Sequence, residues 1–336
     1  MHMNKRVSAP TVSVVLSVKN GGRDLSAAVD TILNQSFTDF ELIAINNGST
    51  DETGPYLDRI ADPRVRVYHQ KDKGLAAALN HGISVARGRY IARQDHDDWA
   101  LPTRMEKQVA FLDAHPDYAL VGTRAEIWTG ESPTGRFHDH AIEDEELRFG
   151  LLFNNPFVHS SVMIRKAALD EVGLYTTDRA RQPPEDYELW SRIARRFRVS
   201  NLAERLTIYR EVPTSMSRDG KDPFKDKLIL ISAENLAAAT VGEPNPLPIH
   251  LDIASLLHGA PQRMSQGADI DAMCAVVTQA GKTIFGNRSF GAEDNPVAVW
   301  TRNLQHHFSV YKYGLGHARR AAGRVRGALR RLGFSI

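Results

Sequence analysis

The chain of 336 residues contains one cysteine, Cys274, so no disulfide can form within it, and its order must come from a packed core. Nowhere does it approach the roughly 18 uninterrupted apolar residues that a membrane-spanning helix needs. Residues 1–10 lack an apolar core of the signal-peptide kind, so no secretory leader is expected, and a reducing cytoplasm suits the cysteine usage. No G-x-G-x-x-G follows the first strand-like run, which argues against a dinucleotide-dependent oxidoreductase; Gly314-Leu315-Gly316 lacks the third glycine and a preceding strand. Acidic residues are missing from Asn295 onward, where Arg302, Lys312, Arg319, Arg320, Arg324, Arg326, Arg330 and Arg331 stand unopposed. The net charge of +2 therefore conceals a body at 1–294 with 34 basic against 40 acidic residues and a tail of +8. Tails of that kind meet anionic surfaces.

An apolar fraction of 42% and a charged fraction of 24% are ordinary for a globular protein, enough for one large domain with an appendage. Short β-rich runs alternate with amphipathic stretches up to about Tyr209, the pattern of an α/β sheet covered by helices. Val12–Val18, Phe40–Ile45, Val65–Tyr68 and Tyr90–Arg93 read as strands, and Leu25–Asn34 and Gly74–Ala86 as helices between them. Right-handed crossovers make such strands parallel, and ligands collect at their carboxyl ends, where Val18-Lys19-Asn20, Asn46-Asn47 and Asp95–Asp98 fall.

Ser49-Thr50-Asp51-Glu52 has capping-box spacing, and Pro102 stands where the first residue of a helix is expected. His159–Arg165 reads as a further strand, and Leu189, Ile193 and Phe197 share one face of a helix that opens at Glu185. Lys225–Val241 and Asp252–Gln279 look helical. With the division placed softly between 210 and 222, the expected organisation is an α/β domain at 10–215 and a helical region with the basic tail at 216–336.

Asp95-His96-Asp97-Asp98 carries the most chemistry. Three carboxylates at the mouth of a sheet repel one another unless a cation joins them, and hard oxygen ligands suit Mg²⁺ or Mn²⁺ bridging a diphosphate. The competing reading is that the acids only cap the next helix and face solvent.

The ordered series resembles glycosyltransferase family 2, the inverting enzymes of GT-A fold. It runs from Val12–Asn20 through Ile32–Phe37, Asn46–Asp51, Asp72–Ala76 and Arg87–Ala92 into Asp95–Asp98, then Asn155–Met163 and Glu185–Trp190. The resemblance covers roughly positions 10 to 210 and implies a GT-A-type Rossmann-like mixed sheet flanked by helices, with a mainly helical C-terminal extension.

The resemblance also implies roles. Asp95 and Asp97 would hold a divalent metal, Mn²⁺ or Mg²⁺, with Asp95 also touching the donor, and Asp98 would orient the following turn. Asp186, beside Glu185, would be the general base on an acceptor hydroxyl. Val18, Asn20, Asn46, Asn47, Asp51 and Lys73 would line the nucleotide donor. Asn46-Asn47 replaces the family's usual Asp-Asp, which removes a charged acceptor for a base ring nitrogen. His159 is assigned to the acceptor or diphosphate, with a hydrogen-bonded structural role as its competitor, and Trp190 to acceptor contact or core packing. Tyr209-Arg210-Glu211-Val212 lacks the histidine that relatives often carry there, so no histidine metal ligand is expected from it.

The expected function is transfer of a sugar from a nucleotide-diphosphate donor to a hydroxyl of a saccharide or lipid-linked acceptor, in cell-surface polysaccharide or glycan synthesis. A non-catalytic nucleotide-sugar or glycan binder and a sugar-1-phosphate nucleotidyltransferase are the alternatives, the latter wanting a more glycine-rich basic loop than Val18–Arg23. Ala318, Ala322, Val325, Leu329 and Leu332 would form an apolar seam flanked by the tail arginines, able to lie on anionic lipid at the inner face of the cell membrane; a solvated tail is the alternative. Nucleic acid is disfavoured because no aromatic residue interleaves the arginines after Tyr313.

Overall fold

A computed structural model describes residues 9–212, 224–291 and 295–313. The described residues fall into two compact units that interleave along the chain: 9–137, 157–175 and 202–212 form one, and 138–156, 176–201, 224–291 and 295–313 the other. The expected tail seam lies outside the described residues.

The first unit is α/β. Its order is β1 (Val12–Val18), α1 (Asp24–Leu33), β2 (Phe40–Asn47), α2 (Thr53–Asp58), β3 (Val65–Gln70), α3 (Leu75–Val85), β4 (Tyr90–Gln94), β5 (Trp99–Ala100), α4 (Arg104–Ala114), β6 (Tyr118–Thr129) and β7 (Ser132–His138). After α5 (Asp144–Gly150) of the other unit come a 3-10 turn at His159–Ser161, β8 (Met163–Arg165) and α6 (Lys166–Val172). The mixed sheet runs β3-β2-β1-β4-β8-β6, then β9 (Arg198–Glu211) and β5, with β7 on β6. β1 pairs in parallel with β2 and β4, and β2 with β3, as the crossover argument requires; β8 pairs antiparallel with β4 and β6. β1 is buried along its whole length because it is central and covered on both faces, and Val14, Leu16, Leu25, Val29 and Leu42 share its core. In α3, Ala76, Leu79 and Ile83 recur at helical spacing and are buried, as their period predicts.

A close approach of backbone to backbone fixes the entry to β4. A Cβ on Gly88 would stand 2.5 Å from the Ser13 nitrogen and 2.7 Å from the Val12 carbonyl carbon. The main chain cannot yield there as a side chain could. Gly88→Ala is therefore expected to cost about 2 kcal/mol, a melting-temperature drop of roughly 5 °C readable by circular dichroism.

Local expectations differ at several places. Asp51, not Ser49, serves the start of α2: its Oδ1 accepts from the Thr53 amide at 3.0 Å, while the Ser49 hydroxyl accepts from the Asn20 amide. Pro102 precedes the N-cap Thr103 of α4, and its carbonyl accepts from the Ser36 amide. His159–Ser161 is a 3-10 turn because the Ser161 hydroxyl and amide both bond the Val158 carbonyl, competing with a strand ladder. The helical stretch expected from Asp252 to Gln279 breaks at Gly259 and Pro261, the former at φ 68°.

The second unit is mainly helical. It holds α5, α7 (Glu185–Ala194), α8 (Lys225–Val241), α9 (Pro248–Leu257), α10 (Ile270–Phe285) and α11 (Pro296–Tyr313). Phe149, Phe153, Leu236, Ile253, Met273, Val277, Trp300 and Leu304 form its core, with Phe153 stacked on Trp300 at 4.1 Å. α7 ends before Phe197, so only Leu189 and Ile193 of the expected apolar face lie on it.

Candidate active site

In the first unit, the loops leaving β1 and β2 are stitched together. Asn20, in left-handed backbone at φ 55°, gives its amide to the Ser49 hydroxyl at 2.9 Å and accepts the Thr50 amide on Oδ1 at 2.8 Å. The Gly21 amide donates to Thr53 Oγ1 and the Gly22 amide to Asp51 Oδ2. The Thr53 side chain, more than any other contact, holds the Asp51 carboxyl below its ordinary range. Val18 ends β1 fully buried.

Asn46 and Asn47, at the end of β2, are buried and internally bonded. Asn46 Oδ1 accepts the Ser49 amide, and its Nδ2 meets His69 Nδ1 at 3.0 Å. Asn47 Oδ1 accepts Gln70 Nε2 and the Lys73 amide, and Asn47 Nδ2 donates to Asp72 Oδ1 at 3.1 Å. Asp72 also binds Lys19 Nζ at 2.6 Å, an exposed pair that holds the Asp72 carboxyl low. Lys73 is exposed, and among the described residues only its backbone amide is bonded.

The acidic cluster follows β4. Asp95 Oδ1 accepts Arg93 Nη2 at 2.5 Å and Oδ2 accepts the Ser160 hydroxyl at 2.7 Å. Burial pushes Asp95 upward, but the Arg93 guanidinium and the Ser160 bond outweigh it and keep the carboxyl ionised well below its ordinary range. Asp98 is buried, shares the Ser160 hydroxyl and accepts the Arg210 amide at 2.8 Å. Burial, then the charges of Asp95 and Asp97, raise it far above the usual carboxylate range. Asp97 is half-buried and raised by burial and then by Asp95. No hydrogen bond from another described residue reaches its carboxylate.

Arginines that the motif pattern did not single out frame these acids. Arg104, wholly buried on α4, donates to the Ser160 carbonyl and is pushed by burial down to about 10. Arg210 binds Asp24 at 2.6 Å and sits 4.8 Å over the Trp99 ring. His159 Nε2 accepts from Arg93 Nε at 3.2 Å and lies 3.0 Å from the Tyr175 hydroxyl. Burial, then Arg93, lowers it to about 3, so the imidazole is neutral.

The donor set fits a divalent ion in one respect: Asp95 and Asp97 supply hard oxygens, and the elevation of Asp97 by its charged neighbour is what a cation would relieve. Among the described residues no three His, Cys, Asp or Glu side chains group to hold a metal alone. Oxygens of a bound diphosphate would have to complete the shell.

In the second unit, Glu185 and Asp186 open α7 in its acidic first turn. Glu185 is buried and Asp186 half-buried; Asp186 Oδ2 accepts Asn155 Nδ2 at 2.8 Å and Oδ1 accepts the Tyr187 amide at 2.7 Å. Trp190 is fully buried, so core packing describes it and acceptor contact has no exposed surface to act through.

The pattern has relatives. The family model described as Glycosyl transferase family 2 matches residues 13–173. The chain is 34% identical over 233 residues to the putative glycosyltransferase EpsE of Bacillus subtilis (strain 168), covering 68% of this chain and 80% of the relative. It is 32% identical over 207 residues to the O-antigen biosynthesis glycosyltransferase WbnJ of Escherichia coli, covering 59% and 79%. Among solved structures, residues 1–349 of S. aureus TarS in complex with UDP-GlcNAc superpose with a TM-score of 0.61 at 14% identity, over 94% of this chain and 92% of the other. The Pyrobaculum calidifontis mannosyltransferase PcManGT with GDP-Man and Mn²⁺ gives 0.51 at 16% identity, over 97% and 88%. At those identities the likeness is one of fold.

Proposed function

The chain belongs to glycosyltransferase family 2 and is a glycosyltransferase, and from that premise we propose that it is a metal-dependent inverting enzyme moving one sugar from a nucleoside-diphosphate donor to an acceptor hydroxyl. The acceptor is a saccharide or a lipid-linked saccharide in cell-surface polysaccharide synthesis, a reading supported by the O-antigen assignment of the WbnJ relative. The observation that carries the proposal is ionised Asp95 beside Asp97, whose carboxylate accepts no hydrogen bond from another described residue, where the parallel strands end.

Asp95 and Asp97 would hold Mn²⁺ or Mg²⁺, and Arg93 and Ser160 fix the orientation of Asp95. The ion would neutralise the charge that develops on the departing diphosphate. Asp186 takes the proton of the acceptor hydroxyl as it attacks the anomeric carbon from the face opposite the leaving group, and Glu185 helps set that helix terminus. Asn20 and Asp51 line the donor, with Lys73 extending toward its phosphates, and Val18, being buried, supports that loop from beneath. Asn46 and Asn47 act there through the loops they brace.

The proposed place of work is the cytoplasmic face of a membrane, supported by the +8 tail from Asn295 onward. No helix among the described residues is long and apolar enough to cross a membrane.

Thermal-shift measurements with UDP- and GDP-sugars, with and without Mn²⁺, test the donor and metal reading. A ligand at 100 times its dissociation constant raises stability by about 2.7 kcal/mol, so a shift of about 5 °C is expected only when donor and metal are both present. Asp97→Asn should abolish the metal-dependent part. Equal shifts with and without Mn²⁺ would exclude the metal role, and no shift with any nucleotide sugar would exclude the donor class.

A further inference from the structure

We infer that Asn155 is a positioning residue for Asp186, an inference that rests on the base role proposed above. The Asn155 amide donates to Asp186 Oδ2 at 2.8 Å, and the Tyr187 amide occupies Oδ1 at 2.7 Å. A carboxylate with a donor on each oxygen is fixed in rotation. Asp186 is thus set for proton transfer before any acceptor arrives.

The loop that carries Asn155 is itself fixed within the same unit. The Tyr187 hydroxyl and Asn235 Nδ2 both donate to the Leu151 carbonyl at 2.7 Å, and the Ser232 hydroxyl donates to the Leu152 carbonyl at 2.6 Å. On the far side of Asn155, Asn201 Nδ2 donates to the Pro156 carbonyl at 3.2 Å. Phe153, two residues earlier, is buried against Trp300. Bonds from α7, α8 and Asn201 therefore set where the amide stands. The segment leading into α7 is anchored as well: Arg181 grips Glu234 of α8 with both terminal nitrogens at 2.9 and 2.6 Å, and its Nε lies 3.8 Å from Glu188 of α7. Donor and acceptor thus sit on pieces of chain braced against one another and against α8, the arrangement that holds a reactive group to within a fraction of an ångström.

A hydrogen bond to the ionised form favours it, so losing the Asn155 donor makes Asp186 harder to ionise. The test uses the full chain with ¹³C-labelled aspartate, with Asp186→Asn to assign the Asp186 carboxyl signal. In Asn155→Ala, and in the shape-conserving Asn155→Leu should the first variant fold poorly, the titration midpoint of that signal is expected to move upward. With UDP-GlcNAc or GDP-mannose as donor and Mn²⁺ present, kcat should fall about tenfold, the donor KM should hold, and the acid limb of the rate profile should move to higher pH. An unmoved midpoint in a folded variant overturns the role of Asn155, whatever the kinetics. Wild-type turnover by Asp186→Asn would instead overturn the base reading on which the inference rests, so the two failures are separately visible.

Discussion

Asp186→Asn is expected to lower sugar transfer by about a thousandfold while leaving donor binding intact. A positioned general base contributes roughly 10² to 10⁴ in rate, and an amide at the same site retains shape and size but cannot take the proton. The change is isosteric at a half-buried helix start and spares the apolar core, so the variant should fold normally. Two measurements together decide the matter: turnover with the donor that gives the largest thermal shift, and that shift itself, repeated on the variant. Loss of turnover with an unchanged shift separates an enzyme from a nucleotide-sugar binder. Loss of both would move Asp186 from the chemistry to the donor site, and retention of turnover would remove it from both.

The second large effect concerns stability and acid. Glu41, on β2, is nearly inaccessible and gathers donors from three directions: the Ser13 hydroxyl at 2.7 Å, the Arg87 amide at 2.8 Å, and the Arg66 and Arg87 guanidinium groups at 2.8 and 2.9 Å. Burial pushes its carboxyl up, but the amide, the hydroxyl and both arginines together bring it to about 2 from an ordinary 4.5. The ionised form is thus favoured in the folded protein. Stability from this source is fully present above pH 4.5 and is lost as pH falls through about 2. The difference amounts to about 3 kcal/mol. Glu41→Gln should cost a similar amount at pH 7, a melting-temperature drop of roughly 6 to 12 °C, and should flatten the pH dependence of the melting temperature between about 4.5 and 2. A variant as acid-sensitive as wild type would show that other carboxylates govern acid unfolding.

Much of the sheet was legible because its signals are local. β1, β2 and β4 are short runs whose side chains are buried on both faces, β3 is a half-buried edge strand rich in β-branched and aromatic residues, and α1 and α3 repeat their apolar residues at helical spacing. What failed to show in the sequence depended on partners far along the chain. Ser49 has the spacing of a capping residue, but its hydroxyl is taken by Asn20, 29 positions away. The acids announced themselves by their number, whereas what governs them did not: Ser160 reaches Asp95 across 65 positions, and Arg104 reaches the Ser160 carbonyl across 56. Arg93 was the exception in distance but not in disguise, since a lone arginine inside an apolar strand resembles any tolerated polar residue. Asn155 stood within a quoted motif, yet only the structure shows which carboxylate it meets. The interleaving of the two units leaves no compositional mark, because the stretches contributing to the helical unit are themselves ordinary helix, loop and the start of β9.

The cross-bonded loops after β1 and β2 have a bearing on recognition. Their amides and hydroxyls are committed to one another through Asn20, Gly21, Gly22, Ser49, Thr50, Asp51 and Thr53 before any ligand arrives. If the proposed nucleotide settles against them, it meets a floor already bonded together, so association would forfeit little chain freedom at that end and selectivity there would be a matter of fit to a preformed template.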